Sequence, residues 1–391
     1  VKIALVGTCL HPVPPPAAGA LELQVFEQAR ALAQRGHEVH VLTVGEDSGP
    51  RLAGLAFHRL ARPYSAGPSG VLRLLLAERA FNRAVYRELA QLAPAVVHFH
   101  ARGPCVAWLE QGQGPLVFQA HNWKRAEGLS RRPLGVRRAA AWYSAALELR
   151  AARGAGHVLA VSAFLRERIV ADTGLPPERI SELANVVDQE RFRPAVGNRA
   201  NPREVLYVGR LAEEKGLLTL IGAVARVPRA ELTIIGPTTG GTEFGAYARA
   251  CRRRVEELGL EKRVVFAGEL AHSALPAYYQ RAALVAVPSL WGEPCGLVAL
   301  EALACGTPVL ASRVGGLTAA IEPGVRGQLC PPGDEAAWAL ALEQALGNEE
   351  LRRNCASAGP SWIAARHTAA ELGERLETLY TALLTAARKA P

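Results

Sequence analysis

Short apolar strands alternate with amphipathic helices twice over in this chain, and that repetition constrains its fold more than any other feature. Residues 1–6 read as a strand, and 20–35 as a helix with Val25, Ala29 and Leu32 on one face. Gly36 is placed to end that helix. A strand follows at 37–44, and further strands are expected at 95–100, 116–120, 157–161 and 180–187. The pattern then restarts at 204–208, 231–235, 263–266, 284–287 and 308–311. Apolar strands separated by helices belong to mostly parallel sheets covered on both faces. The sequence therefore predicts an α/β protein with two doubly wound domains. The first spans 1–187, a linker rich in Arg, Pro, Asn and Gly spans 188–203, and the second domain spans 204–366. A final helix over 367–391 is expected to pack back on the first domain.

Sheets of this kind bind ligands at the C-terminal ends of their strands. Two rims facing each other would enclose a large substrate in a cleft, although two unrelated domains with separate sites satisfy the same pattern. Composition narrows the class: 49% hydrophobic and 21% charged residues exclude disordered and fibrous chains. No apolar run reaches the roughly 20 residues that a membrane span needs. The first residues lack the basic and apolar pattern of a leader, so nothing suggests secretion. The seven cysteines (9, 105, 251, 295, 305, 330, 355) include no Cys-x-x-Cys and read as reduced cytoplasmic thiols. The net charge is +9, with 22 basic and 16 acidic side chains in residues 1–190 against 23 and 20 in the rest. This excess suits anionic partners, such as nucleotide phosphates or acidic lipid head groups.

Two stretches carry chemistry. In 205–216, a strand ends at Val208, Gly209 allows a tight turn, Arg210 and Lys215 stand at the strand rim, and Gly216 opens a helix. Two cations beside a helix start suit a diphosphate. In 288–302, Pro294 is expected to open a helix whose first turn offers the Gly296 and Leu297 amides to an anion. Glu293 precedes that helix and Glu301 lies inside it among apolar residues. A carboxylate accepts hydrogen bonds from two neighbouring sugar hydroxyls, so the pair can hold a sugar and a ribose at the two ends of a diphosphate.

These residues resemble the retaining GT-B glycosyltransferases of the family 4 type. The motif E-P-x-G-L-x-x-x-E-A appears from Glu293 to Ala302, followed by Gly306-Thr307-Pro308-Val309 and Gly315-Gly316. G-R-L-x-x-x-K-G appears at 209–216, and the N-terminal pattern at 12–19 and Gly36-His37-Glu38-Val39. The resemblance implies a GT-B fold of two Rossmann-like domains facing each other across a cleft. It assigns Arg210 and Lys215 to the donor diphosphate, with Gly209 at the turn. Glu293 goes to the transferred sugar, with Cys295 and the Gly296 and Leu297 amides beside it, and Glu301 to the nucleoside ribose. Gly19 goes to the distal phosphate and His121 to the sugar near the reacting carbon. His98 and His100 end a strand on the same rim. The chain departs from the pattern at Cys295, where an aromatic is usual, at Asn185-Val186-Val187-Asp188, at Ala17-Ala18-Gly19, and at Leu303 in place of Met.

The implied activity is transfer of a hexose, with retention, from a nucleotide diphosphate sugar to a glycan, lipid-linked or small-molecule acceptor. A UDP-hexose is favoured, then GDP-mannose. No Asp-x-Asp or ligand-spaced His/Asp cluster occurs, so no metal or cofactor is expected. No nucleic-acid motif is present either. An epimerase of the same fold and a non-catalytic carbohydrate or nucleic-acid binder remain as alternatives. Trp123, Trp142 and Tyr143 stand among Arg125, Arg131, Arg132, Arg137, Arg138, Arg150 and Arg153. That stretch suggests peripheral contact with an anionic membrane, at the inner face of the cytoplasmic membrane. An Arg-rich solvated helix is the competing reading.

Overall fold

The computed structural model describes residues 1–15, 19–45, 52–60, 70–109, 114–123, 136–197, 201–237 and 242–389, without the side chains of 70–75, 136–141 and 242–244. It divides into two compact units: Val1–Val186 with Ala369–Pro391, and Val187–Thr368.

The first unit contains β1 (Lys2–Val6), α1 (Ala20–Gln34), β2 (Glu38–Thr43), β3 (Leu55–Arg59), α2 (Gly70–Leu92), β4 (Val96–Phe99), α3 (Arg102–Leu109), β5 (Leu116–Ala120), α4 (Val136–Gly154), β6 (His157–Ala160), α5 (Ala163–Thr173) and β7 (Ile180–Glu182). Its strands pair in parallel in the order β3-β2-β1-β4-β5-β6-β7. The central strands β4, β5 and β6 are buried at every position, which is why they stand out as apolar runs. Edge strand β3 is half exposed and ends in His58 and Arg59, so no such run marks it and sequence reasoning missed it. The strand expected over 180–187 stops at Glu182, and Val186 reaches the core from the coil beyond.

The second unit contains β8 (Asn201–Val208), α6 (Leu217–Ala225), β9 (Glu231–Ile235), α7 (Thr242–Glu257), β10 (Val264–Gly268), α8 (Leu275–Arg281), β11 (Ala282–Val287), α9 (Leu297–Ala304), β12 (Val309–Ser312), α10 (Leu317–Ala320), β13 (Gly327–Cys330), α11 (Glu335–Gly347) and α12 (Glu349–Arg366). Its parallel sheet runs β10-β9-β8-β11-β12-β13. Residues 201–203, read from sequence as linker, already belong to β8, and Phe192 is buried in the second core. β13 was also missed: it is an edge strand with only two apolar residues. The chain then returns to the first unit through α13 (Ala369–Lys389), where Leu372, Leu376 and Tyr380, spaced i, i+4, i+8, pack with Ile3, Leu5 and Leu32.

Both sheets have the doubly wound order, and each reverses direction at one point: between β1 and β4 in the first, and between β8 and β11 in the second. Loops leaving the carboxyl ends of those strand pairs diverge to opposite faces and leave a crevice for ligand. The motif at 209–216 follows β8, and the motif at 288–302 follows β11. Chain topology alone thus brings the two together.

Candidate active site

Backbone geometry sets the floor of the site in the second unit. Gly209 leaves β8 at φ 156°, and a Cβ on Gly236 would collide with its carbonyl. The buried Tyr207 hydroxyl donates to the Arg210 carbonyl at 2.9 Å, fixing the turn that carries the arginine. Burial keeps that phenol protonated by raising its pKa well above the usual value. A single 3-10 turn, Glu213–Lys215, leads to Gly216 at φ 68°. A side chain there would overlap the Pro288 carbonyl, so glycine allows the two motif loops to touch. Leu290 N donates to Glu214 O at 2.8 Å across the same junction.

The side chains named from sequence meet at this junction. Lys215 Nζ lies 2.7 Å from Glu293 Oε2 and 5.5 Å from the Trp291 ring centre. The same carboxylate oxygen accepts from Ser289 Oγ at 3.0 Å and from Trp291 Nε1 at 3.1 Å. Three donors on one oxygen orient the carboxylate and leave Oε1 outside these three bonds. Lys215 is thus also the counter-ion of the glutamate assigned to the sugar. Arg210 is half exposed, with Nη2 3.2 Å from Glu214 Oε1. Sequence reasoning missed Ser289 and Trp291, although both lie within four residues of Glu293 in the motif.

One expectation needs correcting. The helix expected to open at Pro294 is α9, which opens at Leu297 with Gly296 as its N-cap at φ 77°. A residue with that φ cannot be helical, so the Gly296 amide lies outside the first turn while that of Leu297 lies within it. The residues before it are held as a loop instead. Gly316 N donates to Glu293 O at 2.7 Å, and side chains on Gly315 or Gly316 would strike the backbone of 292–295. The Gly-Gly pair of the motif therefore seats the Glu293 loop. Cys295 is half-buried beside it.

Glu301, on α9, is only 7% exposed. His272 Nε2 lies 2.8 Å from its Oε1, and the Tyr279 hydroxyl donates to its Oε2 at 2.7 Å. Burial, then the neighbouring carboxylate, raises the Tyr279 pKa well above the usual phenol value, so Tyr279 stays a donor. Neither His272 nor Tyr279 was legible as a partner, because both come from α8 and the turn before it, far along the sequence.

In the first unit, Gly19 is the N-cap of α1 with extended backbone, and a Cβ there would crowd Pro15 and Glu22. Ala17 and Ala18 lie outside the described residues. His121 follows β5 and is half-buried, with Nε2 2.9 Å from His100 Nδ1. Burial lowers its pKa to about 4, so the ring is neutral. His98 is fully buried, bonded through Nδ1 to the Tyr380 hydroxyl at 2.7 Å, and so belongs to the core. Of the basic stretch, Arg125, Arg131 and Arg132 lie outside the described residues, as do the side chains of Arg137 and Arg138. Trp123 is buried, whereas Trp142 and Tyr143 on α4 are exposed. No described helix is long and apolar enough to cross a membrane. Among the described residues, which include every cysteine, there is no disulfide.

Comparison with known proteins bears on the family and the fold. Residues 188–362 match the model for glycosyl transferases group 1, and residues 21–191 that for glycosyltransferase family 4. The chain is 32% identical over 384 residues to a D-inositol 3-phosphate glycosyltransferase of Mycobacterium sp. (strain KMS), covering 90% of this chain and 84% of that protein. The enzyme of that name from Mycobacterium tuberculosis is 31% identical over 400 residues, covering 94% and 79%. Among solved structures, sucrose-phosphate synthase from Thermosynechococcus elongatus superposes with a TM-score of 0.84 at 26% identity, covering 98% of this chain and 99% of that one. Anabaena HepE in complex with UDP and glucose superposes with a TM-score of 0.77 at 21% identity, covering 98% and 100%. The chain therefore belongs to the family 4 type of GT-B glycosyltransferases.

Proposed function

We propose that this glycosyltransferase moves a hexose, with retention at the anomeric carbon, from a nucleotide diphosphate sugar to an acceptor hydroxyl. One observation carries the reading: the Lys215 ammonium and the Glu293 carboxylate sit side by side at the switch point of the second sheet, 2.7 Å apart, next to the start of α9. An ammonium has three donors and spends one on Glu293, which leaves two for phosphate oxygens. Arg210 and the Leu297 amide add to the charge-stabilising set as the diphosphate departs. Glu293 Oε1 would take sugar hydroxyls and Glu301 the ribose. For Gly19 and His121 of the first unit, the roles are those that the family resemblance implies.

UDP-hexoses are the favoured donors, with GDP-mannose next. In this reading the cationic side chains stabilise the leaving group without a metal, and turnover should persist in EDTA. For the acceptor, the names of two relatives, D-inositol 3-phosphate glycosyltransferase and sucrose-phosphate synthase, both contain a phosphorylated small molecule. A phosphorylated polyol or sugar is accordingly the first acceptor class to test, ahead of glycans and lipid-linked acceptors. Eight basic and two acidic side chains lie between Lys124 and Gly154, a net +6 of the chain's +9. With the exposed Trp142 and Tyr143, this supports peripheral binding to an anionic bilayer. Sedimentation with anionic but not neutral vesicles at physiological salt tests that part.

The deciding experiment incubates the protein with a panel of nucleotide sugars and acceptors and follows nucleoside diphosphate release and product configuration by NMR. Release accelerated by acceptor, with the donor's anomeric configuration kept, is expected. Inversion would refute retention. A changed sugar with the nucleotide bond intact would indicate an epimerase instead.

A further inference from the structure

The first unit contains a file of polar rings inside an apolar core. His98 and His100 alternate to the same face of β4 and its extension, since side chains two apart share a face. Their rings stack with centroids 4.3 Å apart and planes at 28°. His98 Nδ1 is bonded to the Tyr380 hydroxyl of α13 at 2.7 Å, and His100 Nδ1 to His121 Nε2 at 2.9 Å. His98 Nε2 and His100 Nε2 are buried and have no hydrogen-bond partner among the described residues. Desolvation, the largest cause at each, lowers the pKa of all three histidines, to about 3 for His98, well below normal for His100 and to about 4 for His121. Each ring therefore carries one proton near neutral pH, and which nitrogen holds it is set by the bonds around it.

Two arrangements satisfy the bond between His100 and His121. If His121 donates from Nε2, His100 must carry its proton on Nε2, which is an N–H buried without an acceptor. If His100 donates from Nδ1, its Nε2 is left as a bare lone pair. Buried N–H groups without partners are rarer than under-used acceptors, and an unmade bond to a buried donor is costly.

We propose that His100 is a positioning residue that holds His121 as the Nδ1–H tautomer, a neutral hydrogen-bond donor rather than a base. The proposal rests on the assignment of His121 to the sugar site. In this state the Nε2 lone pair of His121 is taken by His100 and its Nδ1 carries a proton, so His121 has no lone pair for the acceptor's proton. It can only donate, from Nδ1, to an oxygen of a bound ligand. Tyr380 and His98 act one step further back, bracing the ring of His100 from α13.

Long-range proton–nitrogen NMR on protein labelled with ¹⁵N-histidine tests this without substrate. The His121 signals are assigned by their loss in His121→Gln. The wild-type protein should show His121 protonated at Nδ1 with Nε2 as acceptor; a proton on Nε2 would overturn the proposal. His100→Leu removes the donor and should release His121 to the other tautomer. His100→Asn keeps an N–H near the Nδ1 position and should restore the original one. In turnover, His100→Leu should lower kcat about tenfold with little change in donor KM, and His100→Asn should recover most of the loss. Equal losses in the Leu and Asn variants would also overturn it. If His121→Gln leaves donor turnover intact, the assignment of His121 to the sugar fails, and the tautomer measurement still decides the placement of its proton.

Discussion

Replacing Lys215 by Met probes the junction between the two motif loops. The ion pair with Glu293 is 2.7 Å long, with side chains only 21% and 11% exposed. At that distance the attraction is about 6 kcal/mol for an effective dielectric constant of about 20, and withdrawal of both charges from water offsets much of it. Breaking a buried pair from one side typically costs about 3–5 kcal/mol, because the other charge is left uncompensated. Glu293 keeps Ser289 and Trp291 as donors, so Lys215→Met should destabilise the second unit by about 2–3 kcal/mol. Glu293→Gln leaves the ammonium facing a neutral amide and should cost about 1–3 kcal/mol. The double variant should cost no more than the worse single one, a coupling of at least about 1 kcal/mol. Urea unfolding of the four proteins, followed by circular dichroism and tryptophan fluorescence, gives all the terms. Additive losses, or a Lys215→Met protein as stable as the wild type, would refute the view that the pair organises the site.

Other expected outcomes follow from the same geometry. Gly216→Ala forces a side chain into the Pro288 carbonyl at φ 68° and should lower stability by about 2–5 kcal/mol, read as a fall in urea midpoint; a neutral substitution would show that the two loops do not touch. Tyr279→Phe removes the 2.7 Å bond to the buried Glu301 and should cost about 1.5–3 kcal/mol in a thermal or urea melt; no loss would mean that bond is absent. The first unit should weaken in acid. His98 and His121 fall from 6.5 to about 3 and about 4 on folding, so below pH 6.5 the unfolded chain takes up protons that the folded one refuses. The contribution is therefore complete above pH 6.5 and is lost as the pH falls toward 4, with a slope of up to about 1.4 kcal/mol per pH unit for each histidine. Urea midpoints at pH 7.5, 6 and 5 that stay level would contradict the buried neutral file.

Much of this was legible in the sequence, for physical reasons that also explain the gaps. Strands buried on both faces, such as Leu116–Ala120, are mostly apolar and stand out, with the buried Gln119 bonded to Gln28. Edge strands Leu55–Arg59 and Gly327–Cys330 carry no such requirement and did not. Glycines that permit loop contacts were visible as Gly209, Gly216 and the pair at 315–316, but what each of them touches was not. Likewise Arg210, Lys215 and Glu293 announce charge in the loops after strands, and Glu301 charge inside an apolar helix, whereas the partners of those charges depend on where other elements land. His272 and Tyr279 reach Glu301 through α8, and Tyr380 reaches His98 from the last helix. Pro294 illustrates an ambiguous local rule. Proline suits a first helical turn, but the φ of Gly296 places the helix start three residues later.

Calorimetric titration of UDP, GDP and ADP into the wild-type protein and into Arg210→Ala/Lys215→Ala tests the central claim most directly. One of these nucleotides should bind the wild type, and removing both cations should weaken it about 100-fold or more, since each charge-assisted contact contributes about 1.5–3 kcal/mol. Affinity unchanged within about twofold in a folded double variant would place the diphosphate elsewhere and contradict the account.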